Sequence, residues 1–570
     1  MKLENFNNLI ELFFYQAEKQ DPKSILLQWL NPNNKKSFTW EETKLNIFKL
    51  SKTIKENVKE GDRCLLVSEN RPEWFISDLA IMLSGAITVP AYTTYTDNDY
   101  KYLIEDCEPK IVIASNNDIL KKLNTTINEK NFIKKIITFD EVEKAYHNLN
   151  IDNKEKYLDF NSIIKNDLSE KDKIQNLNLK RSSAACIIYT SGTGGNPKGV
   201  ILSHGGILNN LEGACEIIKP LIDSRPVFLT WLPLSHSYEH TVQFAQIAVG
   251  AKVFYAEKIE KLLDNMAEAK PTIMTAVPRF YQNLYNKINI NMKKQTGFKA
   301  KLIQATIRLG KKKLLKEKMT FFEKLLNLML NVLVRKKVRK QFGGKLRAFV
   351  SGGGALDKEI GEFLNSIGLP TLQGYGLTET SPVVSCNPIH NIKVETVGPP
   401  FKGNKIKISE DGEILVKGEN VMLGYWNQKE ETANVIKDGW LHTGDIGEIN
   451  PEDGYLKITD RKKDIIVSAG GDNISPAKIE NIITNEAEID QCMVYGDKKN
   501  YIVALIVPNK EFLKEKEKIN NIIENNIKKE LSDIISKELN NALFHKDSLK
   551  DGSGAMKAFQ VLQFSNISEG

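Results

Sequence analysis

The stretch Ala184-Ala185-Cys186-Ile187-Ile188-Tyr189 reads as a buried strand, and it runs straight into Thr190-Ser191-Gly192-Thr193-Gly194-Gly195-Asn196-Pro197-Lys198-Gly199-Val200. A strand that empties into Gly, Ser and Thr with one Lys is suited to hold phosphate. The glycines let backbone N–H groups turn toward an anion, the hydroxyls add short donors, and Lys198 supplies a point charge. The bland alternative is a flexible surface turn, but turns seldom need three hydroxyl residues and a lysine together. A Walker loop is disfavoured, because it requires Gly-Lys followed by Ser or Thr and Lys198 sits between Pro197 and Gly199.

Around this loop the chain keeps the rhythm of strands and crossover helices in a parallel sheet. Apolar runs at Arg63-Cys64-Leu65-Leu66-Val67 and Lys110-Ile111-Val112-Ile113-Ala114 alternate with helical patterns such as Trp74 to Leu83. The first 400 residues therefore read as α/β. Beyond Gly398-Pro399-Pro400 the texture changes to short alternating strands with Gly and Asp turns, as at Gly412 to Val416 and Gly454 to Ile458, which predicts a β-rich subdomain over about 400–460. A boundary is expected at Asp460-Arg461-Lys462-Lys463-Asp464, giving a large domain over 1–460 and a small α+β lid over 461–570. The polar segment from Asn148 to Asn178 reads as a surface loop or helix pair.

At 570 residues the chain is too long for one core, and 41% hydrophobic with 26% charged residues is ordinary for a folded enzyme. The six cysteines form no CxxC pair or His cluster, so neither a zinc site nor a disulfide framework is expected. The N-terminus develops no apolar stretch followed by a small-residue cleavage site, which makes a cytoplasmic location the expectation. Net charge is only +7, and no nucleic-acid partner is expected. The charge is uneven, however: between Met292 and Arg347 eighteen Lys or Arg stand against Glu317 and Glu323. The apolar run from Leu325 to Val334 within that segment is too short to span a bilayer.

The Gly-rich loop resembles the phosphate-binding signature of the adenylate-forming (AMP-binding) superfamily, which includes acyl-CoA synthetases, luciferases and peptide-synthetase adenylation domains. The usual form has a second Thr where this chain has Gly194, a departure that removes one hydroxyl donor. Further motifs follow in the family's order. Leu232-Pro233-Leu234-Ser235-His236-Ser237 resembles the acyl-pocket histidine motif, Ser351-Gly352-Gly353-Gly354-Ala355 the adenine-side turn, and Gly374-Tyr375-Gly376-Leu377-Thr378-Glu379 the central signature. Trp440-Leu441-His442-Thr443-Gly444-Asp445 and Thr459-Asp460-Arg461 are similar to the ribose-binding and hinge motifs.

The resemblance implies an enzyme that activates a carboxylate with ATP as an acyl-adenylate and passes the acyl group to coenzyme A. Thr190 and Glu379 would ligate Mg2+, and Lys198 with Ser191, Gly192 and Thr193 would hold the phosphates. Gly353, Gly354, Ala355, Gly374, Tyr375 and Thr378 would surround AMP, with Tyr375 stacked on adenine. Asp445 would accept from the ribose hydroxyls, Arg461 would act from the hinge side, and His236 would line the acyl pocket rather than serve as acid or base. Lys463 would be the pivot of a lid that swings between half-reactions, and Gly470, Gly471 and Asn473 would line the coenzyme A tunnel. Local alternatives stand beside these roles: a helix-terminal acid for Glu379, a turn-forming Asp445, a surface Arg461, a core His236.

Asn70-Arg71-Pro72-Glu73-Trp74, Val89-Pro90-Ala91-Tyr92 and Val277-Pro278-Arg279-Phe280-Tyr281 resemble the long-chain fatty acid–CoA ligase branch. The basic segment 292–347 lies where that branch carries extra helices; peripheral docking on the inner face of an anionic membrane and a solvated helical face are its two readings. A medium-chain or carrier-protein-loading adenylating enzyme, and a non-catalytic relative that binds lipid or nucleotide, remain open alternatives. At the C-terminus Phe559 to Phe564 resembles the strand before the family's terminal lysine motif, so that motif is expected to be missing, with Lys557 upstream of the strand a decoy.

Overall fold

The computed structural model describes residues 2–32, 35–141, 153–173, 178–190, 196–462, 464–467, 473–474, 476–484, 489–497 and 502–508. Two eight-stranded sheets carry the first body. One has the order Gly424–Tyr425, Lys198–Ser203, Ala184–Thr190, Ile87–Ala91, Arg63–Val67, Ile111–Ala114, Lys135–Thr138, Tyr157–Asp159. The other runs Val383–Cys386, Thr371–Gly376, Ala348–Ser351, Ile273–Ala276, Val227–Thr230, Lys252–Tyr255, Ile25–Trp29, Ser37–Thr39.

Residue alternation explains how these sheets stack. Cys64 and Leu66 share a core with Cys186 and Ile188, whereas Leu65 and Val67 share another with Ile187 and Tyr189. The first of these cores also takes Phe228, Val253 and Ile273 from the second sheet, whose intervening residues Leu229, Phe254 and Met274 turn to a third. Both sheets are thus apolar on both faces, which is why their strands read as unbroken hydrophobic runs. The helices that fill the shared core include Pro72–Leu83, every residue of which is buried. A helix buried all round belongs between layers; its carboxylates Glu73 and Asp78 are paired with Arg71 and His240, and each of its large apolar side chains contributes roughly 1.5–3 kcal/mol by leaving water.

The polar stretch expected to be a loop or helix pair holds the short helical turns Lys154–Lys156, Phe160–Ile163 and Glu170–Lys173 and also contributes an edge strand. Tyr157–Asp159 pairs in parallel with Lys135–Thr138, and burial of Tyr157 at 5% exposure anchors an otherwise hydrophilic segment. Arg335, counted among the surface cations of the basic segment, is also buried. Its guanidinium donates to the carbonyls of Ser366, Thr306 and Asn327, so it ties three pieces of chain together.

The chain divides into two units: Met1–Ser409, Ile414–Thr443 and Ile449–Lys457, then Glu410–Glu413, Gly444–Glu448 and Ile458–Gly570. In the second unit, hairpin Ile466–Val467 with Asn473–Ile474, helix Pro476–Thr484 and the antiparallel strands Ile489–Tyr495 and Val503–Pro508 enclose a core of Ile466, Ile479, Ile483, Ile489 and Ile506. Among the described residues no helix is long and apolar enough to cross a membrane.

Candidate active site

The strands on either side of the phosphate-type loop, Ala184–Thr190 and Lys198–Ser203, pair antiparallel, with Thr190 opposite Lys198. Ser191, Gly192 and Thr193 lie outside the described residues. Lys198 Nζ is bonded to the Glu431 carboxylate and lies 5.2 Å from the centre of the Tyr425 ring. Tyr425 arrives there because Gly424–Tyr425 adds an edge to the same sheet, with Tyr425 opposite Val200. Its hydroxyl donates to Glu379 Oε1 at 2.9 Å, and its N–H donates to Thr432 Oγ1 at 2.8 Å. One aromatic ring therefore joins the loop lysine to the candidate metal-binding carboxylate. Burial, reinforced by Glu379, holds the Tyr425 hydroxyl well above the usual phenol range, so it is a donor at neutral pH.

Glu379 belongs to the turn Thr378–Thr380 that follows strand Thr371–Gly376. That turn is clamped from several sides. Thr380 Oγ1 donates to Leu377 O at 2.9 Å, Asn210 Nδ2 donates to Thr380 O at 3.1 Å, and Met422 N donates to Glu379 O at 2.8 Å. A Cβ at Gly376 would come within 1.9 Å of Pro382 O, so the chain can enter the turn only through glycine. Thr378 Oγ1 lies 3.0 Å from Ser237 Oγ, which fastens the turn to helix Ser237–Ala248. His236 caps that helix: its Nδ1 accepts the Tyr238 N–H at 3.1 Å. His236 reaches the surface, yet the protein packed around it lowers its pKa.

Gly353, Gly354 and Ala355 are exposed just past strand Ala348–Ser351, and Gly374 and Tyr375 lie half-buried near the end of the neighbouring parallel strand. These are carboxyl ends of adjacent parallel strands, where α/β sheets bind ligands. Tyr238 packs beneath this turn, its hydroxyl donating to Val350 O at 3.1 Å, and a Cβ on Gly352 would meet its ring at 2.9 Å.

The second unit brings Asp445 and Arg461 together, with Arg461 Nε 3.6 Å from Asp445 Oδ1. Gly444 N donates to Glu413 Oε1 at 2.8 Å, which fixes the turn before Asp445. Asn473 stands opposite Val467 in its hairpin. Lys463, Gly470, Gly471 and Lys557 lie outside the described residues.

The described residues contain no group of three or more His, Cys, Asp or Glu that could hold a metal alone. A hard cation shared with phosphate oxygens and water needs fewer protein ligands than that. Glu379 suits it: Oε1 is oriented by Tyr425, and among the described residues Oε2 accepts no hydrogen bond. Tyr425 and Glu431 escaped the sequence reading. A Gly-Tyr-Trp run reads only as turn and packing; the edge pairing of Tyr425 with Val200, more than two hundred residues upstream, is what makes it part of the site.

Residues 13–426 match the family model for AMP-binding enzymes, and residues 463–538 match that for the AMP-binding enzyme C-terminal domain. The chain belongs to the AMP-binding enzyme family. Among its relatives, a long-chain-fatty-acid–CoA ligase (FadD15) of Mycobacterium bovis is 32% identical over 515 residues, 87% of this chain and 81% of that protein. The long chain acyl-CoA synthetase 3 of Arabidopsis thaliana is 32% identical over 500 residues, 83% of this chain and 73% of its own length. In fold, the chain resembles the anthranilate CoA ligase AuaEII in complex with anthranoyl-AMP, at TM-score 0.68 and 18% identity over 90% of this chain and 91% of the other. ATP-bound MatB from Rhodopseudomonas palustris gives TM-score 0.66 and 22% identity over 89% of each chain.

Proposed function

We propose that this protein is a long-chain fatty acid–CoA ligase that forms an acyl-adenylate and then an acyl-CoA. The observation that carries the reading is the chain Lys198–Tyr425–Glu379, which sets a phosphate-type cation and a hard carboxylate on either side of one ring. The relatives named as long-chain ligases support the choice of acid.

A carboxylate is a poor electrophile, so ATP must first convert it to a mixed anhydride. The carboxylate oxygen attacks the α-phosphorus, the bond to the β-phosphate breaks, and diphosphate leaves. Negative charge accumulates around phosphorus as this happens, and fixed donors and cations stabilise it. Lys198 binds the phosphates, exchanging Glu431 for a phosphate oxygen when ATP arrives. Thr190 and Glu379 would hold Mg2+, which supplies charge neutralisation along the phosphates. Asp445 binds the ribose hydroxyls and Arg461 flanks it, while Tyr375 and the turn Gly353–Gly354–Ala355 bound the adenine. His236, committed to capping, shapes the acyl end. In the second step the coenzyme A sulfur attacks the acyl carbon and AMP leaves. We place the domain boundary at 460–461, with the lid beyond it serving both steps through Lys463 and the Gly470–Asn473 loop.

A panel of acids from acetate to oleate tests the proposal, each assayed for AMP formation with and without coenzyme A. Coenzyme-dependent AMP formation should rise toward the long acids; turnover confined to short acids would overturn the long-chain assignment. A cytoplasmic enzyme docked peripherally on an anionic leaflet fits such substrates, since long acids partition into bilayers.

A further inference from the structure

Helix Phe321–Leu330 and the turn Asn331–Arg335 that continues it are fastened to the first body along one side only. On the inner side Leu330 is fully buried, and Glu323 Oε1 accepts from Lys312 Nζ at 2.9 Å and Arg308 Nη1 at 3.2 Å. Arg335 donates to Ser366 O at 2.8 Å and Thr306 O at 3.1 Å, and Thr320 with Glu323 closes the helix start as a reciprocal cap. This side is complete.

The opposite side is apolar and bare. Phe321 and Phe322 are 75% and 79% exposed, and Leu325, Leu328, Met329 and Val332 stand 50%, 67%, 53% and 61% exposed. Their spacing of three and four residues puts them on one helical stripe, so a contiguous apolar face meets water rather than isolated side chains. Lysines flank it along the sequence: Lys313 and Lys318 precede the helix, with the exposed Glu317 between them, Lys324 lies within it, and Lys336 and Lys337 stand one turn beyond Val332 and Leu333. All five are exposed, and none has an acidic partner among the described residues.

We propose that this face is a lipid-docking surface lying in the plane of an anionic leaflet, with the phenylalanines in the acyl region and the lysines at the headgroups. The proposal deepens the peripheral reading above by assigning the contact to apolar side chains rather than to charge alone. An apolar centre inside a cationic rim is the complement of acyl chains beneath anionic headgroups. A second copy packed by two-fold symmetry would instead press like-charged rims together. The stripe is about 17 Å long, too short to span a bilayer but suited to lie along one.

The test uses the full chain in flotation with phosphatidylcholine vesicles and with phosphatidylcholine–phosphatidylserine vesicles. The wild type should float with the serine lipid and lose that binding in high salt. Phe321→Ser with Phe322→Ser should lower partitioning at least about tenfold on both lipids. Lys324→Glu with Lys336→Glu and Lys337→Glu should abolish the preference for phosphatidylserine while leaving weak, salt-insensitive binding. Both variants should melt like the wild type, because every substituted side chain is exposed, and both should adenylate octanoate, a soluble acid, at the wild-type rate. Wild-type protein that never floats, or variants that float as well as it does, would overturn the proposal. So would a wild-type dimer that the phenylalanine pair dissociates. If no acid is adenylated by any form, the ligase reading falls while the flotation result stands.

Discussion

Tyr425 holds one oxygen of Glu379 and underlies Lys198, so its hydroxyl is the most economical place to test whether these groups act together. Tyr425→Phe removes a donor without changing packing, and a hydrogen bond to a charged group contributes about 1.5–3 kcal/mol. We expect adenylation, read as pyrophosphate release, to fall at least about tenfold with a higher magnesium requirement and an unchanged melting temperature. A wild-type magnesium titration would show that the hydroxyl does not orient Glu379. Glu379→Ala itself should abolish metal-dependent turnover and leave the fold intact, whereas near-normal AMP formation would remove Glu379 from the metal site. Asp445→Ala tests the proposed ribose contact: if Asp445 binds the ribose hydroxyls, loss of that charge-assisted bond should raise the ATP requirement about 10- to 100-fold, checked by ATP titration.

The segment Asn70-Arg71-Pro72-Glu73-Trp74 shows how one short motif organises several elements. Asn70 donates to Leu232 O at 2.7 Å and accepts from Leu234 N at 3.0 Å, gripping the strand of chain that leads to His236. Arg71 and Glu73, 1% and 0% exposed, form two hydrogen bonds of 3.0 Å, and Lys36 Nζ reaches Glu73 Oε1 at 2.6 Å. Burial pushes the Glu73 carboxyl up, but Arg71 and Lys36 more than reverse it, and the group stays ionised. Arg71→Ala strands that charge with Lys36 alone and should cost about 3–5 kcal/mol, measured by urea unfolding. A loss below about 1 kcal/mol would show the network to be slack. The motif was visible in the sequence as a family likeness, but its work was not, because Lys36, Leu232 and Leu234 meet it only through the fold. The same limit applied to Arg335: a count of basic residues cannot tell a guanidinium bonded to three carbonyls from one in solvent. What was legible were the strands, since Arg63–Val67 and Ala184–Thr190 are apolar runs buried on both faces and need no partner to be recognised.

Across the whole molecule, the pH profile of stability should reflect a carboxyl that the fold keeps uncharged. Glu239 is fully buried on helix Ser237–Ala248, and Thr275 Oγ1 donates to its Oε2 at 2.7 Å while Oε1 has no well-formed partner among the described residues. Burial pushes its pKa from 4.5 up to about 7, with the nearby threonine hydroxyls offsetting only part of the cost. Between those values the folded protein keeps a proton that the unfolded chain has released. The folded state then binds more protons than the unfolded, so this group's contribution is complete below 4.5, declines as pH rises and is gone above about 7. Two and a half pH units correspond to about 3 kcal/mol. Glu73 has the opposite sign: its lowered pKa contributes stability at neutral pH that is lost as pH falls through its folded value. Glu239→Gln keeps the shape and a hydrogen-bonding oxygen but cannot ionise, so the gap between variant and wild type isolates the one group from the rest. Denaturation at about pH 5 and about pH 8 should show the variant gaining about 2–3 kcal/mol on the wild type over that span. A gap that does not change with pH would mean that Glu239 is already ionised in the fold, held by a partner that Thr275 and Thr230 do not provide.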